Sequence, residues 1–126
     1  MFNFKNTYQT LPRTFYDYVE SYMFDDPKIL LLNDNLAMDL NIDLEVLRLE
    51  GHLYLSSNRI VNEPIAQAYA GHQYGHFTML GDGRAMLLGE LDTSRGLVDL
   101  QLKGSGSTKY SRGGDGKATL ASMLRE

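Results

Sequence analysis

Residues 97–117 read Leu97-Val98-Asp99-Leu100-Gln101-Leu102-Lys103-Gly104-Ser105-Gly106-Ser107-Thr108-Lys109-Tyr110-Ser111-Arg112-Gly113-Gly114-Asp115-Gly116-Lys117, and the two halves of this stretch obey different rules. In the first half Val98, Leu100 and Leu102 alternate with Asp99, Gln101 and Lys103, the period-two pattern of a strand with one apolar and one polar face. The second half holds five of the chain's 12 glycines and, counted with Lys103, four cations. Neither a regular helix nor a strand runs through such a segment. A lysine therefore ends the polar face of a strand where a glycine-rich loop begins.

Working upstream, His76 to Leu80 and Ala85 to Leu91 read as two more strands, joined by Gly81-Asp82-Gly83-Arg84. Asp-Gly between apolar runs predicts a two-residue hairpin with positive φ at both central residues. Thr93-Ser94-Arg95-Gly96 predicts the next turn, and together these make an antiparallel three-strand meander. Downstream, Ala118 to Glu126 has helix-forming composition with Leu120, Met123 and Leu124 on one face. The chain stops there without a capping signal, so it is expected to be the N-terminal piece of a longer protein.

The first part reads differently. Pro12 opens a predicted helix in which Phe15, Tyr18, Val19 and Tyr22 recur at i, i+3, i+4 and i+7. Asp34 or Asn35 is expected to cap a helix over Leu36 to Leu40, and Asp43 a further one through Leu49. The fold class expected is α+β, with a mainly helical section over 1–75 and an incomplete nucleotide-binding unit over 76–126.

Composition narrows the function classes. The 126 residues carry a net charge of −4, and no apolar run approaches the roughly 18 residues that span a bilayer. The N-terminus lacks the basic and apolar pattern of a targeting signal, which makes the cytoplasm the expected compartment and a membrane partner unexpected. With no cysteine, this stretch has no disulfide, thiolate metal site or cysteine nucleophile. Residues 1–83 carry 5 Lys/Arg against 11 Asp/Glu, whereas residues 84–126 carry 7 against 5. That asymmetry argues against bulk nucleic-acid binding and for a confined anion site.

Glycine loops let backbone N–H groups approach phosphate oxygens, with Lys103 as a point charge and Arg84 as a planar fork. Two common phosphate motifs fail here. A P-loop needs Ser or Thr after Gly116-Lys117 and glycine at 111, where the chain has Ala118 and Ser111. The dinucleotide fingerprint fails because Lys109 stands at its third glycine. Glycine turn, lysine-ended strand, then a helix carrying an acid is instead the order of a protein-kinase N-lobe, in which Lys103 and Glu126 form the lysine–glutamate pair. His72 and His76, four apart, lack the intervening glutamate and third ligand of a zinc site, and structural histidines are the expected reading. Ser105, Ser107 and Ser111 have no histidine base nearby in sequence.

At Glu63-Pro64-Ile65-Ala66-Gln67-Ala68-Tyr69-Ala70-Gly71-His72-Gln73-Tyr74-Gly75-His76-Phe77 the chain resembles the selenoprotein O family. The resemblance continues through Leu80 to Ala85, Gln101 to Gly106 and Tyr110 to Gly116, and includes Asn6-Thr7-Tyr8 and Leu11-Pro12. It implies a protein-kinase-like fold that binds ATP in reversed orientation and transfers AMP to Ser, Thr or Tyr hydroxyls of proteins. It also implies ATP contacts at Gly81, Gly83, Arg84, Lys103, Asp115 and Gly116, with Glu126 as the lysine's partner. The residues themselves leave open whether Asp115 meets the nucleotide or braces its loop. The resemblance further places the catalytic aspartate and the ligands for Mg2+ or Mn2+ beyond Glu126, so residues 1–126 alone are expected to be inactive. Phosphoryl transfer and a non-catalytic interaction module are the alternatives.

Overall fold

The computed structural model describes residues 2–20, 22–56, 59, 62–73 and 75–126. They form an α+β arrangement around five antiparallel strands: β1 (Tyr16–Tyr18), β2 (Ile65–Gln73), β3 (His76–Gly81), β4 (Ala85–Thr93) and β5 (Gly96–Lys103). The helices are short: α1 (Asp34–Asp39), α2 (Leu44–Tyr54) and α3 (Leu120–Met123), and the last is a single turn within the helix expected over Ala118 to Glu126, leaving Glu126 beyond its end.

β4 is the spine of the sheet. It pairs with β5 from Ala85↔Lys103 to Thr93↔Gly96, and a register shift between Leu87 and Gly89 breaks the alternation. A bulge of this kind turns successive side chains inward, and Met86, Leu87 and Leu88 are all buried. Met86 and Leu88 join Val19, Ala66 and Leu102 in one core cluster, while Leu87 packs with Tyr16 and Ile65. Leu91 meets Phe2, Ala37 and Leu47, which seats α1 and α2. Both helices start as cap chemistry requires. The Asp43 carboxylate accepts from Glu45 N–H and Val46 N–H at 2.9 and 3.1 Å. The cap of α1 is Asn33, one residue before the expected Asp34, and its side chain accepts from Leu36 N–H at 3.0 Å.

The helix expected from Pro12 to Tyr22 does not form. A single 3-10 turn at Arg13–Phe15 leads straight into β1, and Tyr16 takes φ −157° and ψ 164°. Phe15-Tyr16-Asp17-Tyr18-Val19 is an aromatic and β-branched run, and the edge offered by β2 captures it through Tyr16↔Gln67 to Tyr18↔Ile65. The helical spacing of those apolar residues is coincidental. Residues 65–73, expected within a mainly helical section, are a strand for a related reason: Ile65 and Ala66 are wholly buried between neighbours.

The expected meander is also corrected. β3 pairs with β2, from Ala68↔Gly81 to Gln73↔His76, and not with β4. Asp82 and Gly83 have no positive φ, so no hairpin turn of the expected type joins β3 to β4. Asp82 explains the outcome. Its N–H donates to Gln67 O at 2.9 Å, and its carboxylate accepts from Gln67 N–H at 3.0 Å. One buried residue thus imitates a strand partner and pins the 81–84 connection onto β2.

The N-terminal segment acts as a further partner of β4, since Lys5 and Glu90 exchange two backbone hydrogen bonds of 2.9 Å. The buried Glu90 carboxylate accepts from Thr7 N–H at 2.7 Å and from the Thr7 hydroxyl. That gives Asn6-Thr7-Tyr8 a structural purpose: a buried carboxylate must find donors.

Candidate functional site

The site is built by register. Because Ala85 lies opposite Lys103, Arg84 and Gly104 leave the sheet side by side, and Gly104 N–H donates to Arg84 O at 2.7 Å. The two glycine-rich segments therefore start from one point at the end of the β4–β5 pair.

They are then stapled together. The Thr108 hydroxyl donates to Asp82 O, and the Ser111 hydroxyl donates to Gly83 O at 2.5 Å. Ser111 Oγ also accepts from Thr108 N–H at 2.9 Å. These hydroxyls serve the loop geometry, and no histidine lines either cavity described below. The foot of the second loop closes through the Ser105↔Lys117 bridge and Ala118 N–H to Gly104 O, 2.9 Å. That closure needs glycine at two places. Gly104 and Gly116 have φ of +86° and +69°, and a Cβ on Gly116 would stand 1.9 Å from Gly106 O.

Between the loops opens a cleft of about 440 Å³ lined by Tyr69, Gly81, Gly83, Arg84, Ser111, Arg112, Gly114, Asp115, Gly116 and Lys117. Gly81, Gly83, Arg84, Asp115 and Gly116 are thus brought together on its walls. Lys103 and Glu126 flank it instead. Lys103 Nζ lies 2.6 Å from Glu126 Oε1, and Arg84 Nη2 reaches the same oxygen at 3.7 Å. Each of these three side chains is about half exposed, so the cluster arranges charge beside the cleft and contributes little to fold stability.

The ammonium of Lys103, hydrogen-bonded to Glu126, holds that carboxyl below its ordinary value, and the Arg84 guanidinium adds to the effect. A lowered carboxylate value means that the ion pair is complete above the ordinary range, about 4.3 for a free glutamate, and is lost only as pH falls through the lowered value. A carbon-detected titration of Glu126 is expected to show a midpoint below that of a free glutamate. Lys103→Ala is expected to raise the midpoint, and an unmoved one would remove Lys103 as the cause.

Asp115 braces its loop, its carboxylate accepting from Lys117 N–H at 3.0 Å. It also lies where a second, larger cavity of about 620 Å³ meets the first. That cavity is bounded by Asp17, Glu20, Tyr22, Lys109 and Lys117 among others. Its cations are already engaged: Lys109 pairs with Asp17 at 2.5 Å, and Lys117 Nζ stands 3.9 Å from the Tyr22 ring centroid. Although larger, it has both of its cations engaged, whereas Arg84 and Arg112 stand on the wall of the cleft between the glycine loops. His72 and His76 lie on β2 and β3, away from both cavities, with exposed side chains.

Sequence reasoning passed over Arg112, Gly114, Lys117 and Tyr69 as lining residues. The signal for the first three lay in the glycine run, where composition gives no sign of which side chain turns inward. Tyr69 shows itself only once β2 is known to be a strand.

Comparison with known proteins places the chain in a family. A family model described as protein adenylyltransferase SelO matches residues 1–126. The chain is 54% identical over 128 residues to the protein nucleotidyltransferase YdiU of Anoxybacillus flavithermus, an alignment covering 98% of this chain and 27% of that relative. Its identity to the protein of the same name from Lachnoclostridium phytofermentans is 55% over 125 residues, covering 96% of this chain and 26% of the relative. For the protein of the same name from Brevibacillus brevis it is 52% over 128 residues, 98% of this chain and 26% of the relative. The chain thus spans about a quarter of the length of these curated relatives. Matched from its first residue to its last, the chain belongs to the SelO family.

Proposed function

We propose that this chain forms the ATP-binding start of a protein adenylyltransferase, with a kinase-like N-lobe beginning near residue 76. The observation that carries the reading is the cleft itself: two glycine-rich segments fixed to one another, Arg84 on the wall, and the Lys103–Glu126 pair at its flank. Backbone N–H groups and cations in that arrangement suit a polyphosphate. The names of the relatives, protein nucleotidyltransferase, agree with it.

In this reading a Ser, Thr or Tyr hydroxyl of a protein substrate attacks the α-phosphorus of ATP. Pyrophosphate leaves, and the hydroxyl proton passes to a base outside these residues. Arg84 and Lys103 bind and orient the phosphates, and Glu126 keeps Lys103 directed toward them. A divalent cation, Mg2+ or Mn2+, would neutralise phosphate charge when bound. Its ligands are proposed to lie in sequence outside this chain, as the family resemblance implies. No helix among the described residues is long and apolar enough to cross a membrane. The cytoplasm is the compartment proposed, with protein substrates and ATP as partners and neither nucleic acid nor membrane among them.

The test is to supply the full-length protein with metal and ATP labelled at either the α- or the γ-phosphate and to follow label into protein. Transfer from α-labelled ATP alone is expected. Transfer from γ-labelled ATP alone would make the protein a kinase, and transfer from neither, with active controls, would favour the interaction module.

A further inference from the structure

Four cations stand on the walls of the two cavities, and three are engaged. Lys109 is ion-paired with Asp17 at 2.5 Å, Lys117 lies over the Tyr22 ring at 3.9 Å, and Arg84 faces Glu126 at 3.7 Å. Arg112 differs from them: among the described residues it has no ion pair, hydrogen bond or ring contact, although it lines the cleft between the glycine loops. Asp115, the one carboxylate on that cleft's wall, is occupied by Lys117 N–H and not by the guanidinium.

Resting on the nucleotide reading above, we propose that Arg112 is a phosphate ligand of that site, a planar fork delivered by the second glycine loop. The loop is built for this on both sides of the residue. Immediately before it, Ser111 is fixed through its N–H to Thr108 O at 3.1 Å and through its hydroxyl to Gly83 O at 2.5 Å. Immediately after it, Gly113 and Gly114 stand in open space, with no atom within 4 Å of where a Cβ would be. Gly114 also has no positive φ, so neither packing nor backbone conformation requires glycine there. An absent side chain on the cleft wall leaves room for a ligand to approach the main chain. An anchored start and an open continuation let the guanidinium turn toward an anion without disturbing the Ser111 contacts. A guanidinium offers two parallel N–H donors to phosphate oxygens, which an ammonium cannot reproduce.

The test uses the full-length protein and calorimetric titration with ATP, inorganic tripolyphosphate and adenosine. Arg112→Ala is expected to weaken ATP and tripolyphosphate by about tenfold or more, to leave adenosine binding unchanged, and to leave the melting temperature unchanged. Arg112→Lys is expected to recover only part of the loss. Equal affinity of wild type and Arg112→Ala for both polyphosphates would overturn the assignment. So would an equal loss for adenosine, or a lowered melting temperature accompanied by full recovery in Arg112→Lys. Wild-type protein that binds no ATP would overturn the nucleotide reading together with this one, an outcome distinct from failure of Arg112 alone.

Discussion

Lys103→Ala in the full-length protein is expected to lower turnover by about two to three orders of magnitude, the loss typical of removing one charge-stabilising group from a reaction centre. The fold is expected to survive the change. The Lys103 side chain is half exposed at the last position of β5, and its partner Glu126 is equally exposed. Leu102, on the opposite face, carries the burial at this end of the strand. Activity assays paired with thermal melting separate the roles. Unchanged specific activity in soluble protein would show that Lys103 does not face the phosphates, and loss of soluble protein would make it structural.

Gly116→Ala is expected to damage fold and site together. The new Cβ would meet Gly106 O at 1.9 Å, Gly106 C at 2.3 Å and Ser107 N at 2.5 Å, all backbone atoms that cannot rotate away. The φ of +69° adds a conformational penalty for any residue with a Cβ. Overpacking of this kind costs about 1–3 kcal/mol, and the foot of the second loop must open to relieve it. Because that loop is stapled to Gly83 and Asp82, the strain passes to the first glycine segment as well. Chemical denaturation should show the stability loss, and ATP titration a loss of affinity. By contrast Gly114→Ala, with open space at its Cβ, is expected to leave stability unchanged. Equal stability of Gly116→Ala and wild type would contradict the described closure.

What was legible in the sequence follows the physics of each signal. Alternation over Val98, Leu100 and Leu102 survives in the structure because β5 has one apolar face and a single good partner. The Asp43 cap is likewise local, needing only the backbone of the next turn. Failures came where a distant partner decides. Phe15 to Val19 has two readable periods, and the β2 edge, nearly fifty residues later in the chain, selects the extended one. The Asp82-Gly83 turn signal predicts a hairpin only if its two flanking strands pair, and the two hydrogen bonds between Asp82 and Gln67 divert β3 onto β2. Ala68, Ala70 and Gly71 gave β2 itself no alternation to read.

For the candidate site, glycines and cations were visible as residue types, and so was the proximity of Lys103 to the second loop. The Thr108 and Ser111 staples were not, because serines and threonines in a glycine run look like ordinary loop composition. Arg112 was hidden by the same composition. The sequence names the charges, while only the folded loop tells which of them is left without a partner.

The cleft between the two glycine segments is, in the proposed reading, where ATP binds. The most direct measurement is nuclear magnetic resonance of the full-length protein with 15N-labelled glycine, titrated with ATP. The amide signals of Gly83, Gly114 and Gly116 are expected to move most, that of Gly104 to follow through its bond to Arg84, and that of Gly51 on α2 to stay still. Movement confined to Gly106, on the wall of the larger cavity, or no movement at any of these glycines, would contradict it.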